Sequence, residues 1–313
     1  MFKKLIALLT LSIGVIMSAH AWEPTKPVTV VIAYGPGSGN EVLFRKLETI
    51  IAKNNKINFV LDFKPGAFEL IGMNHFSANA QPDGYTLYSP GVGVYYGTPV
   101  WFKKNLTQDP SEWVPVMSLG ESPIALFATS KSTVNNPADF RNRLKSDAKV
   151  DVGVGAPVMV ITYEYMAKQT AATAAQRIQF NSPAAVAQAV ASEQIEFGIA
   201  PLSVGIELAK AGKLKVVGIT GAQKFGDYSF LSSSFDGLDM VAHAGLVLPK
   251  GTPKEISDYY KKIFADAINS AEYKDFLKSI NWYDSLNTPK NYESFVLNQR
   301  KKWIPVAETI QFN

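Results

Sequence analysis

A glycine-rich turn between a predicted strand and a predicted helix carries the residue types best suited to binding chemistry. Residues 28–33 are apolar and mostly β-branched, as in a strand covered on both faces. Residues 34–40 hold three glycines and a proline, and from Glu41 onward apolar residues recur at helical spacing. A helix start directs free N–H groups and the positive end of the helix dipole outward. The pattern therefore predicts an anion site made of main-chain amides.

The same arrangement recurs in the middle of the chain. Residues 149–152 are typical of a strand, residues 153–157 of a second glycine loop and residues 158–168 of a helix. The candidate ligand-binding residues are Tyr34, Gly35, Gly37, Ser38, Gly39, Asn40 and Glu41 in the first loop, and Gly153, Val154, Gly155, Ala156 and Pro157 in the second. The alternative for both loops is a tight turn that only docks a helix on the sheet.

Two of these candidates have further explanations that the sequence leaves open. Tyr34 directly follows the strand, so its ring either contacts a ligand at the floor of a cleft or packs in the core. Glu41 either contacts a ligand ammonium group or a water molecule, or it interacts with the dipole of its own helix from the first turn.

Two α/β lobes are expected to position the loops. The first lobe is predicted to comprise residues 22–122 and 236–313, and the second to comprise residues 123–235. Alternating strand and helix patterns predict a mostly parallel sheet flanked by helices in each lobe, with a cleft between them. Residues 113–119 and 124–129 indicate two extended segments in series, which form the expected first crossing between the lobes.

Composition and the N-terminus restrict the class of protein. The chain has 313 residues, a formal net charge of +4 and no cysteine, so we expect no nucleic-acid or membrane-surface partner and no disulfide. Lys3, Lys4, the apolar residues 5–17 and the small residues before Trp22 are typical of a secretory signal peptide cleaved after Ala21. We therefore expect residues 1–21 to be removed and the mature protein to be exported to the periplasm.

Several short motifs resemble those of one family. Residues 82–87 read P-D-G-Y-T-L, residues 36–41 with Arg45 are similar to P-G-G-G-T-D followed by an arginine, and residues 65–72 are similar to P-G-A-x-G-x-I-G. Residues 211–214 read A-G-K-L, and residues 248–253, L-P-K-G-T-P, are similar to A-P-A-G-T-P in the same order. The chain thus resembles the periplasmic solute receptors of tripartite tricarboxylate transporters, the Bug or TctC-type receptors.

This resemblance implies a two-lobed periplasmic binding protein, type II-like, that closes on a small organic acid. The acid would be held by main-chain N–H groups of the two glycine loops and delivered to the transmembrane permease subunits. No cofactor, metal or enzymatic activity is implied, and we expect a monomer. The resemblance adds Asn181 and Ser182, which lie beside the second loop, and His243, where the family often has a tryptophan near the cleft.

The sequence departs from the family pattern at positions near the expected ligand. Phe68 and Glu69 stand where the family usually has a pair of small residues, often glycines. Other positions also differ from the family pattern: Ser38 for glycine, Glu41 for aspartate, Ala156 for serine or threonine, Asn181 for lysine, and apolar residues 158–161 for a His-Leu pair. Loss of a hydroxyl and a cation removes donors for a second carboxylate. A less charged or more apolar acid is therefore expected.

Two alternative functions are compatible with parts of the sequence. A dinucleotide-binding oxidoreductase would bind its cofactor at the glycines after the first strand. Asp62 lies at about the distance along the chain where such enzymes have an acidic residue that binds the ribose. Against it, the third glycine comes too early, Pro36 removes an N–H group, and the export signal lacks a twin arginine. The other alternative is a receptor that presents its closed form to a sensor protein instead of a permease, using the same lobe closure.

Overall fold

A mixed β-sheet flanked by helices forms the framework of the protein in the computed structural model. The structure describes residues 22–146, 149–172, 175–221 and 223–311, and the predicted signal peptide lies outside these ranges. Among the described residues, none of the helices is both long and apolar enough to cross a membrane.

The strands are β1 (Val28–Ile32), β2 (Phe59–Phe63), β3 (Thr86–Ser89), β4 (Val114–Thr129), β5 (Val150–Val154), β6 (Ala175–Gln179), β7 (Phe197–Pro201), β8 (Leu214–Ile219) and β9 (Val241–Leu248). The α-helices are α1 (Gly39–Ile51), α2 (Leu70–Asn79), α3 (Thr98–Trp101), α4 (Pro137–Lys145), α5 (Pro157–Thr170), α6 (Pro183–Ala191), α7 (Leu202–Lys210), α8 (Lys254–Ile268), α9 (Ala271–Ser279) and α10 (Pro289–Ala307).

The first sheet half is built around β1. It pairs in parallel with β2 and β3, so that Val30 lies opposite Leu61 on one side and Leu87 on the other. β3 pairs with the antiparallel strand β9, which in turn pairs with the first part of β4. Buried residues dominate β1, as its apolar sequence predicts.

The second sheet half is built around β5. This strand pairs in parallel with β6 and β7, so that Val152 lies opposite Arg177 and Phe197. β7 and β8 both pair with the last part of β4 in antiparallel fashion. The parallel strands and their helices thus occur in both halves, and antiparallel strands lie between them.

One long strand joins the two sheet halves. β4 runs for 16 residues, so the two extended segments predicted in series, residues 113–119 and 124–129, form one continuous strand. A register shift next to Gly120, whose φ is 155°, lets the strand bend without ending. Pro123 is paired with β9, and Ile124 begins the pairing with β7. The lobe boundary between residues 122 and 123 stays a prediction, and it lies at this change of partner.

Strand directions bring the two glycine loops to the same region. β1 runs in the same direction as the first part of β4, because β9 is antiparallel to both β3 and β4. β5 runs opposite to the last part of β4, because it is parallel to β7. The carboxyl ends of β1 and β5 therefore point toward one another near residues 120–124 of β4.

One hydrophobic cluster continues across both sheet halves. It contains Tyr88 and Tyr96 from the first half and Val152, Ala156 and Val158 from the second, all of them buried. A separate cluster packs α1 against α8 and α9 on the first half. The loops are thus held by packed elements on both sides.

Candidate functional site

The first glycine loop is open to solvent but is partly capped by its own side chains. Ser38 Oγ accepts a hydrogen bond from Glu41 N at 3.5 Å, and Glu41 Oε2 accepts one from Gly37 N at 2.7 Å. The N–H groups of Gly39 and Asn40 have no acceptor within the parts of the chain that the structure describes. Two donors of this helix start are therefore open, and the Glu41 carboxylate already occupies the Gly37 N–H.

The glycines of the first loop have different surroundings. Gly37 has a φ of 81°, which favours glycine, and a Cβ atom at Gly35 or Gly37 would meet nothing within 4 Å. A Cβ atom at Gly39 would lie 2.7 Å from Trp282 Cζ2. The turn therefore tolerates a side chain at Gly35 much better than at Gly39.

Asn40 connects the first loop to the end of β3. Its Nδ2 donates to Ser89 O at 3.1 Å, Ser89 Oγ at 3.0 Å and Pro90 O at 3.1 Å, and the residue is buried. Its side chain therefore fixes the helix start to the segment that follows β3, while its main-chain N–H remains open.

The second glycine loop is shorter than the sequence predicted. Gly153 and Val154 belong to β5 and pair with β6, so placing them in a loop was wrong. A Cβ atom at Gly153 would lie 2.5 Å from Ile195 Cδ1, which explains a glycine inside the strand. At Gly155 it would lie 2.6 Å from the carbonyl group of Ser182, so only glycine fits against that backbone.

The start of α5 has unpaired main-chain donors and no side-chain cap. Ala156 is the N-cap residue and offers no side-chain acceptor, and Pro157 has no N–H. The N–H groups of Met159 and Val160 both donate to Ala156 O, at 3.0 and 3.1 Å. Within the described ranges, the N–H groups of the following residues have no acceptor: Gly155, Ala156 and Val158.

Residues 91–97 lie between the two loops. A Cβ atom at Gly91 would lie 2.4 Å from the Tyr34 hydroxyl oxygen, and one at Gly93 would lie 2.6 Å from Pro157 Cβ. Pro157 is buried beneath this segment, which we name the 91–97 segment. Its small residues allow the close approach, so the second helix start is covered by the first sheet half.

Tyr34 and Glu69 form a buried pair behind the first loop. The Tyr34 hydroxyl donates to Glu69 Oε1 at 2.5 Å, and Gly91 N donates to Glu69 Oε2 at 2.8 Å. Glu69 is only 2% exposed, and burial raises its pKa to about 7 although both hydrogen bonds oppose that shift. Sequence reasoning did not place Glu69 among the candidates. The signal that could have found it was the replacement of a small pair by two large side chains.

The backbone that carries Glu69 is strained. Ala67, Phe68 and Glu69 have φ values of 46°, 54° and 72°, which is a left-handed run of residues other than glycine. Each such residue costs roughly 1–2 kcal/mol relative to an ordinary conformation. Strain of this size persists only where the surrounding contacts hold the segment in place.

The remaining candidates lie around the second loop and on β9. Ser182 Oγ accepts from Ala185 N at 3.2 Å as the N-cap of α6, and Asn181 is exposed. His243 is buried and stacks on Tyr292, with ring centroids 5.1 Å apart, and burial lowers its pKa to about 3. His243 is therefore neutral near pH 7 and supplies no positive charge.

The arrangement offers donors for an anion and little for catalysis. Among the described residues, no group of three or more His, Cys, Asp or Glu side chains could hold a metal ion. Asp62, the proposed ribose ligand of the oxidoreductase alternative, is paired with Lys64 at 2.9 Å and His75 at 3.3 Å. Five main-chain N–H groups at the starts of α1 and α5 have no acceptor among the described residues, and they remain as the main chemical feature: those of Gly39, Asn40, Gly155, Ala156 and Val158.

Comparisons with known proteins point to one family and one fold. Residues 43–312 match the family model described as Tripartite tricarboxylate transporter family receptor (TctC). A UPF0065 protein of Bordetella bronchiseptica is 26% identical over 243 residues, covering 77% of this chain and 72% of that protein.

Two solved structures from Rhodopseudomonas palustris share the fold. MatC with bound malate is 20% identical, with a TM-score of 0.81 over 91% of this chain and 100% of that one. A second R. palustris protein, with adipate, is 20% identical, with a TM-score of 0.83 over 91% of this chain and 97% of that one. The α/β architecture predicted from the sequence is confirmed by these likenesses.

Proposed function

Because this chain belongs to the tripartite tricarboxylate transporter family receptors, we propose that it captures a small organic acid between its two glycine loops and delivers it to the permease subunits. The family match confirms the resemblance drawn from the sequence motifs. Receptors of this family are solute-binding proteins and not enzymes. As part of the proposal, the mature protein acts in the periplasm as a monomer after loss of residues 1–21.

The observation that carries this proposal is the set of open main-chain donors at two converging helix starts. Gly39 and Asn40 offer N–H groups from the first sheet half, and Gly155, Ala156 and Val158 offer them from the second. Unpaired donors in or near a protein interior are costly, and an anionic ligand would satisfy them. Hydrogen bonds to charged groups contribute roughly 1.5–3 kcal/mol each, so three or four would support micromolar binding after association costs.

Closure of the two sheet halves would complete the site. In the proposed order of events, the acid first accepts hydrogen bonds from the N–H groups of the first loop. The second sheet half then rotates inward about β4 and β9. The contact of Gly93 with Pro157 and the hydrophobic cluster shared by both halves support a closed form of this kind. Closure is driven by contacts that exist only in the closed state.

The ligand is proposed to carry one carboxylate. The R. palustris relatives of the same fold are described with malate and adipate, both of them dicarboxylates. In this chain the second loop offers no hydroxyl at Ala156, and Asn181 provides no cation. Donors for one carboxylate group remain in the main chain, whereas side-chain donors for a second are missing at these positions.

Calorimetric titration with small organic acids tests the proposal, and substitution of Gly35 localises the site. Gly35→Asp places a negative charge in open space beside the first loop and should weaken binding of any acid at least about 100-fold. Gly35→Asn has nearly the same shape without the charge and should lose less than about tenfold. Equal loss in both variants, or no loss in either, would contradict anion capture at this loop.

A further inference from the structure

The Glu69 carboxyl group is buried without a cationic partner. Its two oxygens accept hydrogen bonds from the Tyr34 hydroxyl and from Gly91 N, and within the described ranges no lysine, arginine or histidine pairs with it. An ionised carboxylate accepts about four hydrogen bonds, so both oxygens retain acceptor capacity. Charges buried this deeply are normally paired, which makes a missing positive charge the feature to explain.

Four tyrosines lie near enough to this carboxyl group for its charge to act on them. The charge of Glu69 acts on Tyr34, Tyr88, Tyr95 and Tyr96, and after burial it contributes to raising the pKa of each. In the part of the chain that the structure describes, the buried hydroxyls of Tyr88 and Tyr96 have no hydrogen-bond partner. Aromatic rings and open acceptors around one carboxylate form an environment that suits an ammonium group.

The strained backbone fixes the carboxyl group at the proposed binding cleft. The left-handed residues 67–69 place Glu69 between Tyr34, which precedes the first glycine loop, and Gly91, which begins the 91–97 segment against the second. A glycine would adopt this conformation without strain, so the glutamate is retained at a conformational cost. The carboxyl group is thus held behind the first loop, next to the segment whose Gly93 packs against Pro157 of the second helix start.

We propose that Glu69 is the anionic partner of an ammonium group, so that the captured acid is an amino acid or another zwitterionic amino carboxylate. Its carboxylate occupies the open N–H groups of the glycine loops, and its ammonium group lies at Glu69 among the tyrosine hydroxyls. The inference rests on the proposed capture of an organic acid and adds the chemistry of the ligand's other end.

Titration calorimetry at pH 8 with three matched series of acids tests this inference. The series are the unbranched alkanoates, dicarboxylates and ω-amino acids of three to six carbons, together with L-alanine and L-norvaline as α-amino acids. The best amino carboxylate should bind at least about tenfold more tightly than the best alkanoate or dicarboxylate. Lowering the pH from 8 to 5.5 protonates Glu69 and should weaken amino-acid binding about tenfold, with little effect on alkanoates.

Variants of Glu69 separate this role from a structural one. Glu69→Gln should lose about tenfold or more in affinity for the best amino carboxylate and less than about threefold for the best alkanoate. Glu69→Gly suits the left-handed backbone and provides the same comparison if the glutamine variant does not fold. Glu121→Gln is the matched control, because Glu121 is also buried and accepts from one hydroxyl and one N–H, both of Ser285.

The outcomes distinguish the two proposals. Dicarboxylates or alkanoates that bind as tightly as the amino carboxylates would overturn the inference while acid capture stands. An amino-acid preference that persists in the Glu69 variants would also overturn it. Absence of binding across all series would refute acid capture, and the inference would fall with it.

Discussion

The two glycine loops share a sequence pattern but differ in how their main-chain donors are used. In the first loop, Ser38 and Glu41 occupy part of the donor set, and the turn is open to solvent. In the second loop, the N-cap Ala156 has no side-chain acceptor, and Pro157 lies buried under Gly93. A strand–glycine–helix pattern therefore predicts where N–H groups gather, whereas capping side chains and neighbouring segments decide which of them a ligand can reach.

The groups behind the two loops differ as well. An ionisable pair, Tyr34 and Glu69, lies behind the first loop, whereas buried apolar residues such as Val154 and Val158 surround the second. The first loop should therefore respond to pH, and the second should respond to changes in side-chain volume. The predictions that follow test this difference.

The largest effect is expected from the pH dependence of stability at Glu69. Its pKa is raised from 4.5 to about 7, so its contribution is fully present below pH 4.5 and is lost as the pH rises through 7. Wild type should lose about 3 kcal/mol of unfolding free energy relative to Glu69→Gln between pH 4.5 and pH 8.5. Urea unfolding at these two pH values measures the difference.

The control for this experiment is Glu121→Gln, which leaves Glu69 in place and should retain most of the wild-type pH dependence. If Glu69→Gln shows the same fall in stability as wild type, no ionisation cost is associated with the first loop. The proposed contrast between the two loops would then lose its electrostatic part.

A smaller effect is expected from a matched pair of glycine substitutions. Gly155→Ala forces a methyl group to within 2.6 Å of the Ser182 carbonyl and should cost about 1–3 kcal/mol of unfolding free energy. Gly35→Ala enters open space and should be neutral, or stabilising by about 0.5 kcal/mol. Denaturant unfolding of both variants, with wild type as reference, measures the contrast, and equal costs would contradict it.

The smallest effect concerns the two serine N-caps. Ser182→Ala removes a cap with a 3.2 Å hydrogen bond and should cost about 1 kcal/mol. Ser38→Ala removes a cap with a 3.5 Å hydrogen bond, while the Glu41 carboxylate still accepts from Gly37 N at the helix start. A loss of about 0.5 kcal/mol of unfolding free energy is therefore expected. Thermal unfolding of the two variants shows the order, and a larger loss at Ser38 would reverse our view of how the first loop is capped.

The elements with strong local signals could be predicted from the sequence. Residues 28–33 were predicted as a strand, and the structure has Val28–Ile32, because the apolar run and the glycines behind it mark both ends. The start of α6 at Ser182 and Pro183 has a similarly local signal, since an N-cap serine followed by proline marks a helix start.

Features that depend on distant contacts could not be predicted. Gly153 lies inside a strand, and it is a glycine because Ile195 and Phe180 occupy the space of a side chain. The local sequence does not show these contacts. The continuity of β4 depends on its pairing with β9 and β7. The burial and the left-handed backbone of Glu69 could not be predicted for the same reason, because they accompany contacts with Tyr34 and Gly91, which are distant in sequence.

The hydrogen bonds of Asn40 have a consequence for the proposed capture of an acid. One side chain fastens the start of α1 to Ser89 and Pro90, and so ties the first helix to the chain leading into the 91–97 segment. In the proposed capture, an acid would therefore meet donors already in place and give up little entropy to order them. Preorganisation by a single amide group would leave more of the interaction energy for affinity.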